Sequence, residues 1–212
     1  MTSNTIKHVW FDFAGTLYKE TAEFHKAHDT LRIQTYAELQ KIDDLEVAEK
    51  EFLDLYTQHG SNSAVFRSLG QSADYWMKAL DGFEFTELLV PDEEVSKTLV
   101  ALSKVVPVSL FTNFVTHRVI FLLDHLHISK SVFTHILTGD QIAEKKPALD
   151  GFYEMVRLSE LRPEEILYVG DRVDADIKPA KQLGIKTALL YQDSDEADYR
   201  FEQLSDALRL FD

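Results

Sequence analysis

The chain contains no cysteine, so disulfides, thiolate catalysis and thiolate metal sites are excluded. That fits a cytoplasmic protein. Positive charge is scarce: 22 lysines and arginines stand against 36 aspartates and glutamates, a net charge of −14. Such a field repels nucleic acid and anionic membrane surfaces, although a local positive site can still capture a phosphate. No window reaches the roughly 18 uncharged apolar residues that a membrane span needs. The N-terminus, MTSNTIKHVWF, lacks the apolar segment after a basic start that marks a secretory leader. A soluble intracellular protein with no nucleic-acid or membrane partner is expected. With 212 residues and 45% hydrophobic content, the chain can bury one large core or one core carrying a sizeable insertion.

Glycine and proline are also nearly missing from residues 20–41, where Phe24, Ala27, Leu31, Tyr36 and Leu39 recur at helical spacing. Residues 47–56 continue in that register with Phe52 and Leu55. After the break at Gly60-Ser61-Asn62-Ser63, residues 65–69 form a short piece, and Tyr75, Trp76 and Leu80 suggest a further helix closed by Asp81-Gly82. Residues 19–88 therefore read as a helical insertion without strand signal. One strand precedes it, and strands and helices alternate after it. Ile6 to Phe11 is an apolar, β-branched and aromatic run ending on Asp12. From Pro91, where an acidic helix start puts proline near the first turn, strand signals at 107–111, 132–137, 166–169 and 187–190 alternate with helical stretches at 116–126, 148–158 and 177–183. This pattern predicts an α/β fold with a parallel sheet flanked by helices. The acidic run 193–198 reads as a solvated turn before a terminal helix.

Four strands end on polar groups: Asp12, Thr112-Asn113, Gly139-Asp140 and Asp171. In a parallel sheet these ends share one edge, where open α/β sheets present their chemistry. Asp171, Asp174 and Asp176 place three carboxylates within six residues, a hard oxygen-rich set suited to Mg2+. Each element also has an ordinary reading. Asp12 can cap a turn, Thr112-Asn113 can be a turn, Lys145-Lys146 before Pro147 can be a solvated basic pair, and the three aspartates can be an acidic loop capping a helix. Trp76, Tyr75, His25 and Arg67 are possible substrate contacts, but aromatics at helical spacing are usually core.

Taken in order, these motifs resemble those of the haloacid dehalogenase-like (HAD) superfamily. Asp12-Phe13-Ala14-Gly15-Thr16-Leu17 resembles its first motif, Thr112 the second, Lys146-Pro147 the third, and Gly170-Asp171 with Asp176 the fourth. The resemblance implies a Rossmannoid core over residues 1–18 and 89–212 and an inserted all-helical C1-type cap over 19–88. It implies hydrolysis of a small phosphorylated metabolite with Asp12 as nucleophile, and Thr112, Asn113 and Lys146 binding the phosphoryl group. Mg2+ would be held by Asp12, the backbone carbonyl of Ala14 and Asp171, with Asp176 holding the metal's water or the lysine, in a monomer or homodimer. The chain departs from the family's phosphatase pattern at Ala14, where an aspartate usually protonates the leaving group and activates water, a role typically worth about 10²- to 10⁴-fold. Three explanations stay open: a position altered to remove the acid, a substrate that needs no acid, or a binding protein on a phosphatase scaffold. The superfamily's phosphonoacetaldehyde hydrolases carry alanine here but need an imine-forming cap lysine. Lys26, Lys41, Lys50 and Lys78 lie in the cap region, and none matches that subgroup.

Overall fold

The computed structural model describes residues 5–81 and 86–211. The chain divides into two compact units, one formed by Met1–Lys19 with Val90–Asp212 and the other by Glu20–Leu89.

The inserted unit is helical: α1 (Ala22–Gln40), α2 (Leu45–His59), α3 (Asn62–Ser68) and α4 (Tyr75–Asp81). The first two do not share one continuous register. α1 ends at Lys41 in the left-handed region (φ 58°), and Asp44 restarts the chain by accepting from the N–H groups of Glu46 and Val47. An N-cap carboxylate satisfies helix-start donors that a continued helix would have paired, so the local chemistry of Asp44 overrides the apolar spacing. Phe52, Phe66 and Trp76 fill the unit's core, with the Phe66 and Trp76 rings stacked 5.7 Å apart and Tyr75 5.3 Å from Phe66. Trp76 is thus a core residue of this unit. Gly82, expected to close α4, lies outside the described residues.

The other unit is built on strands β1 (His8–Phe11), β2 (Val108–Phe111), β3 (Ile136–Leu137), β4 (Ile166–Gly170), β5 (Lys186–Leu190) and β6 (Tyr199–Phe201). They form a parallel sheet in the order β3-β2-β1-β4-β5-β6. Every residue of β1, β2 and β4 is buried, as strands covered on both faces require. Helices α5 (Glu93–Ser103), α6 (Thr116–His125), α7 (Asp150–Ser159) and the short α8 (Lys178–Gln182) connect them. The strand order reverses at β1, between β2 and β4, and this topological switch point opens a crevice beyond the carboxyl ends of those three strands.

Several local expectations shift. Asp92 caps α5 through the Glu94 N–H, leaving Pro91 outside the helix. Of the expected strand at 132–137, Ile136–Leu137 is regular strand, Thr134 and His135 bond to the β2 backbone just before it, and Lys130–Val132 forms a helical turn. Tyr199–Phe201 adds an edge strand after the acidic run, and the terminal helix beyond it is a 3-10 helix, Leu204–Leu210. Gly151 is a packing necessity on α7: a side chain there would enter the Phe111 ring. That close approach seats Phe111, Phe152 and Tyr168 in one aromatic cluster beneath the crevice, with Phe152 edge-on to Phe111 (5.2 Å) and to Tyr168 (5.2 Å).

Candidate active site

Asp12 follows β1, Thr112 follows β2 and Asp171 follows β4, so the three neighbouring strands at the switch point deliver them to one edge. Gly15 allows the turn after Asp12: its φ is +76°, and a Cβ there would collide with the Asp171 carboxylate. The loop after β1 can therefore lie against Asp171 only because position 15 has no side chain. Gly170 does the same for Asp176, whose Cβ lies 2.6 Å from where a Gly170 Cβ would stand.

Lys146 sits at the centre with its side chain fully buried. Its ammonium donates to Asp12 Oδ1 at 2.7 Å, Asp176 Oδ1 at 2.6 Å and the Tyr168 phenol oxygen at 2.7 Å. Asp176 is held in turn by the Arg172 backbone N–H on its Oδ2, 3.1 Å away. Both Asp176 oxygens are therefore occupied by N–H donors.

Asn113 has a role the sequence does not reveal. Its side-chain amide accepts from the Lys146 N–H (2.8 Å) and donates to the Lys146 carbonyl (3.0 Å), a two-point clamp on the lysine's backbone. The side-chain amide of Asn113, expected among the substrate-binding residues, is engaged on that backbone. Thr112 is buried, and its hydroxyl accepts a 3.3 Å bond from the Phe114 N–H. Asp140, the remaining strand-end carboxylate, instead caps α6, accepting from the Thr116 N–H at 2.9 Å and from the Thr138 hydroxyl at 2.7 Å. Asp174 pairs with Lys178 on the surface at 2.7 Å. Ala14 contributes a methyl group and its backbone, which pairs in a parallel bridge with Tyr18.

Tyr168 is the member that pattern reading passes over. It lies within an apolar strand, where a tyrosine normally reads as core, yet its hydroxyl enters the polar network. A signal was present: it stands two residues before Gly170 and so shares that residue's face of the strand.

The electrostatics are consistent with a bound cation. Oxygens of Asp12, Asp171 and Asp176 lie within 4.8 Å of one another. Burial raises the Asp12 pKa, and the neighbouring Asp176 adds to this against the opposing pull of Lys146. Burial, Asp12 and Asp176 push Asp171 up to about 7. One oxygen of Asp171 is buried without a hydrogen-bond partner among the described residues. Burial disfavours charge on Arg172, but Asp176, Asp12 and Asp171 outweigh it and raise its pKa. Tyr168 is held well above its ordinary value by burial and by Asp176 and Asp12, so it stays a phenol. An orphaned carboxylate oxygen beside two other carboxylates is a donor set that fits a hard divalent cation.

Comparison with known proteins agrees with this architecture. A glyceraldehyde 3-phosphate phosphatase of Methanocaldococcus jannaschii is 39% identical over 71 residues, covering 32% of this chain and 31% of that protein. The chain thus matches about a third of that relative's length. A phosphoglycolate phosphatase of Photorhabdus laumondii is 31% identical over 191 residues, covering 84% of this chain and 77% of the relative. The crystal structure of a HAD phosphatase from Thermococcus onnurineus superposes with a TM-score of 0.74 at 19% identity, covering 97% of this chain and 98% of that one. With the haloacid dehalogenase-like hydrolase family model matching residues 9–190, the chain belongs to the haloacid dehalogenase-like hydrolases.

Proposed function

We propose that this protein is a Mg2+-dependent hydrolase of small phosphorylated metabolites that works through a phosphoaspartate on Asp12. The observation that carries the reading is the Lys146 ammonium, buried and bonded to Asp12 at 2.7 Å, beside an Asp171 carboxylate with an oxygen left unpaired. Phosphoryl transfer needs an in-line nucleophile and cations to compensate the equatorial oxygens. Asp12 Oδ2, the oxygen Lys146 does not hold, attacks phosphorus. Lys146 and Thr112 bind the phosphoryl oxygens. Asp12, the Ala14 carbonyl and Asp171 would hold Mg2+, which when bound would supply charge compensation to the transferring group. Asp176 keeps the lysine in place. The substrates named for the two phosphatase relatives support a phosphorylated compound of two or three carbons. Residues 19–88, in the family's terms, are read as a C1-type cap.

Ala14 sets the limits of the chemistry. A methyl group can neither protonate a departing alkoxide nor activate water against the phosphoaspartate. Nitrophenyl and acyl phosphates, whose leaving groups depart unprotonated, should therefore react once and stall, whereas alkyl phosphates should hardly react. Rapid-quench assays of this chain, Ala14→Asp and Asp12→Asn test the reading. A burst with activated esters, turnover of at least one alkyl phosphate by Ala14→Asp, and loss of the burst in Asp12→Asn are expected. Equal hydrolysis of alkyl phosphates with and without Ala14→Asp would overturn the role given to position 14. The absence of an acid at Ala14 also favours a second reading, a binding module on a phosphatase scaffold. Saturable phosphate binding without turnover, even in Ala14→Asp, would select it.

A further inference from the structure

We propose that Tyr168 is a positioning residue: its phenol oxygen takes the third N–H of the Lys146 ammonium and so fixes that charge on Asp12. An ammonium has three protons to place. Two go to carboxylates, Asp12 Oδ1 at 2.7 Å and Asp176 Oδ1 at 2.6 Å, and Tyr168 accepts the third at 2.7 Å. The lysine side chain is fully buried, so water does not supply a substitute acceptor.

The phenol is itself fixed. Because its oxygen accepts from Lys146, its own proton points elsewhere, to the Phe111 carbonyl at 3.3 Å or Asp176 Oδ1 at 3.4 Å. Asp176 Oδ1 already takes the shorter lysine bond, which leaves the Phe111 carbonyl as the freer acceptor. That carbonyl ends β2, one residue before Thr112. The Tyr168 ring is locked at 5.2 Å against Phe152 and 6.1 Å from Phe111, and the ammonium lies 5.1 Å from the Phe111 ring centre and 5.4 Å from that of Tyr168. One side chain thus ties β4, the end of β2 and the lysine together.

A neutral third acceptor has a particular consequence. A third carboxylate would cancel the charge that a phosphoryl group is to meet, whereas a phenol orients the ammonium and leaves its charge available. The chemical role of that orientation rests on the function proposed above, and a displacement of about 1 Å in such a group can cost on the order of 10²-fold in rate.

Two measurements test the proposal. The first needs no turnover: in protein carrying ¹⁵N-lysine, the Lys146 ammonium resonance, assigned by its loss in Lys146→Arg, should exchange slowly with water. In Tyr168→Phe its exchange should accelerate at least tenfold, and an unchanged rate would overturn the proposal. The second is a double-mutant cycle on nitrophenolate release with Mg2+ present. Tyr168→Phe should lower the rate constant of the burst about 10- to 100-fold with little change in the half-saturating ester concentration, and should have no further effect in a Lys146→Gln background. Equal losses in both backgrounds would mark Tyr168 as merely structural. Should the parent release no nitrophenolate, the hydrolase reading fails, and the exchange measurement still decides the place of Tyr168.

Discussion

Gly170→Ala is a one-atom test of how the site is held. The added Cβ would stand 2.6 Å from Asp176 Cβ, 2.7 Å from its Cγ and 2.8 Å from its Oδ2. A flexible side chain would swing aside, but Asp176 cannot do so freely. Its Oδ1 takes Lys146 at 2.6 Å, its Oδ2 takes the Arg172 N–H at 3.1 Å, and its own N–H is bonded to the Arg172 carbonyl at 2.9 Å. It is also fully buried. Overpacking of this kind costs about 1–3 kcal/mol, and weakening one hydrogen bond to a charged partner about 1.5–3 kcal/mol more. A loss of about 3 kcal/mol or greater is expected, which for a chain of this size lowers Tm by roughly 6–12 °C. Thermal melting and urea unfolding of parent and variant measure it directly, with Gly60→Ala as the control. Gly60 has a positive φ, +76°, which Gly170 does not, and a Cβ there meets nothing within 4 Å, so a backbone penalty alone applies at the control position. If Gly170→Ala melts within a degree of the parent, or loses no more than Gly60→Ala, the claim that Asp176 is rigidly seated is wrong.

His8 predicts an acid limb in the stability curve. Burial and the nearby His135 lower its pKa to about 4 from an ordinary 6.5, so the folded protein resists a proton that the unfolded chain accepts. The resulting stability is present above about pH 6.5 and is lost as pH falls toward 4, by about 3 kcal/mol in total. His8→Gln should flatten that window relative to the parent in urea titrations, and identical pH profiles would refute it. For the carboxylate cluster, Mg2+ should raise the Tm of the parent by several degrees and that of Asp171→Asn much less. In EDTA the order should invert, because Asp171→Asn removes one of three crowded charges; equal Mg2+ responses would count against Asp171 as a ligand.

The parallel sheet was legible because β1, β2 and β4 carry dense apolar runs that stop on polar residues, and strand ends in a parallel sheet meet whatever their separation along the chain. That is why Asp12, Thr112 and Asp171 could be placed together from sequence, whereas Lys146 and Asp176 joined the group through the family motifs they resemble. What escaped reading depends on contacts with no local signature. β6 is three residues long and half exposed, and it exists only because β5 offers it a paired edge. The stop at Lys41 puts a lysine where glycine is usual, so no breaker announces it. Asn113 reads as a turn residue because its partner, the backbone of Lys146, lies on a distant loop brought close by folding. Asp140 looked equivalent to Asp12 and Asp171 by position, but β3 lies beyond β2 from the switch point, and its carboxylate has helix α6 to cap.

The same distinction explains why the cluster is assembled as it is. Among the described residues, three carboxylates stand beside Lys146 and Arg172, an excess of negative charge in a largely buried setting. Burial chiefly, with the neighbouring carboxylates adding to it, raises the pKa of Asp12 and Asp171. Taken alone such an arrangement destabilises the fold, and a hydrophobic replacement of similar shape would be as good or better for stability. Under the function proposed above, a divalent cation would reverse the local sign and a phosphoryl dianion would then balance it. The elements around the cluster oppose its repulsion in the meantime. Gly15 and Gly170 let backbone and carboxylates approach, Asn113 clamps the lysine's main chain, and Tyr168 completes the coordination of its ammonium. None of these four carries charge, so each can hold the site together without changing what it attracts.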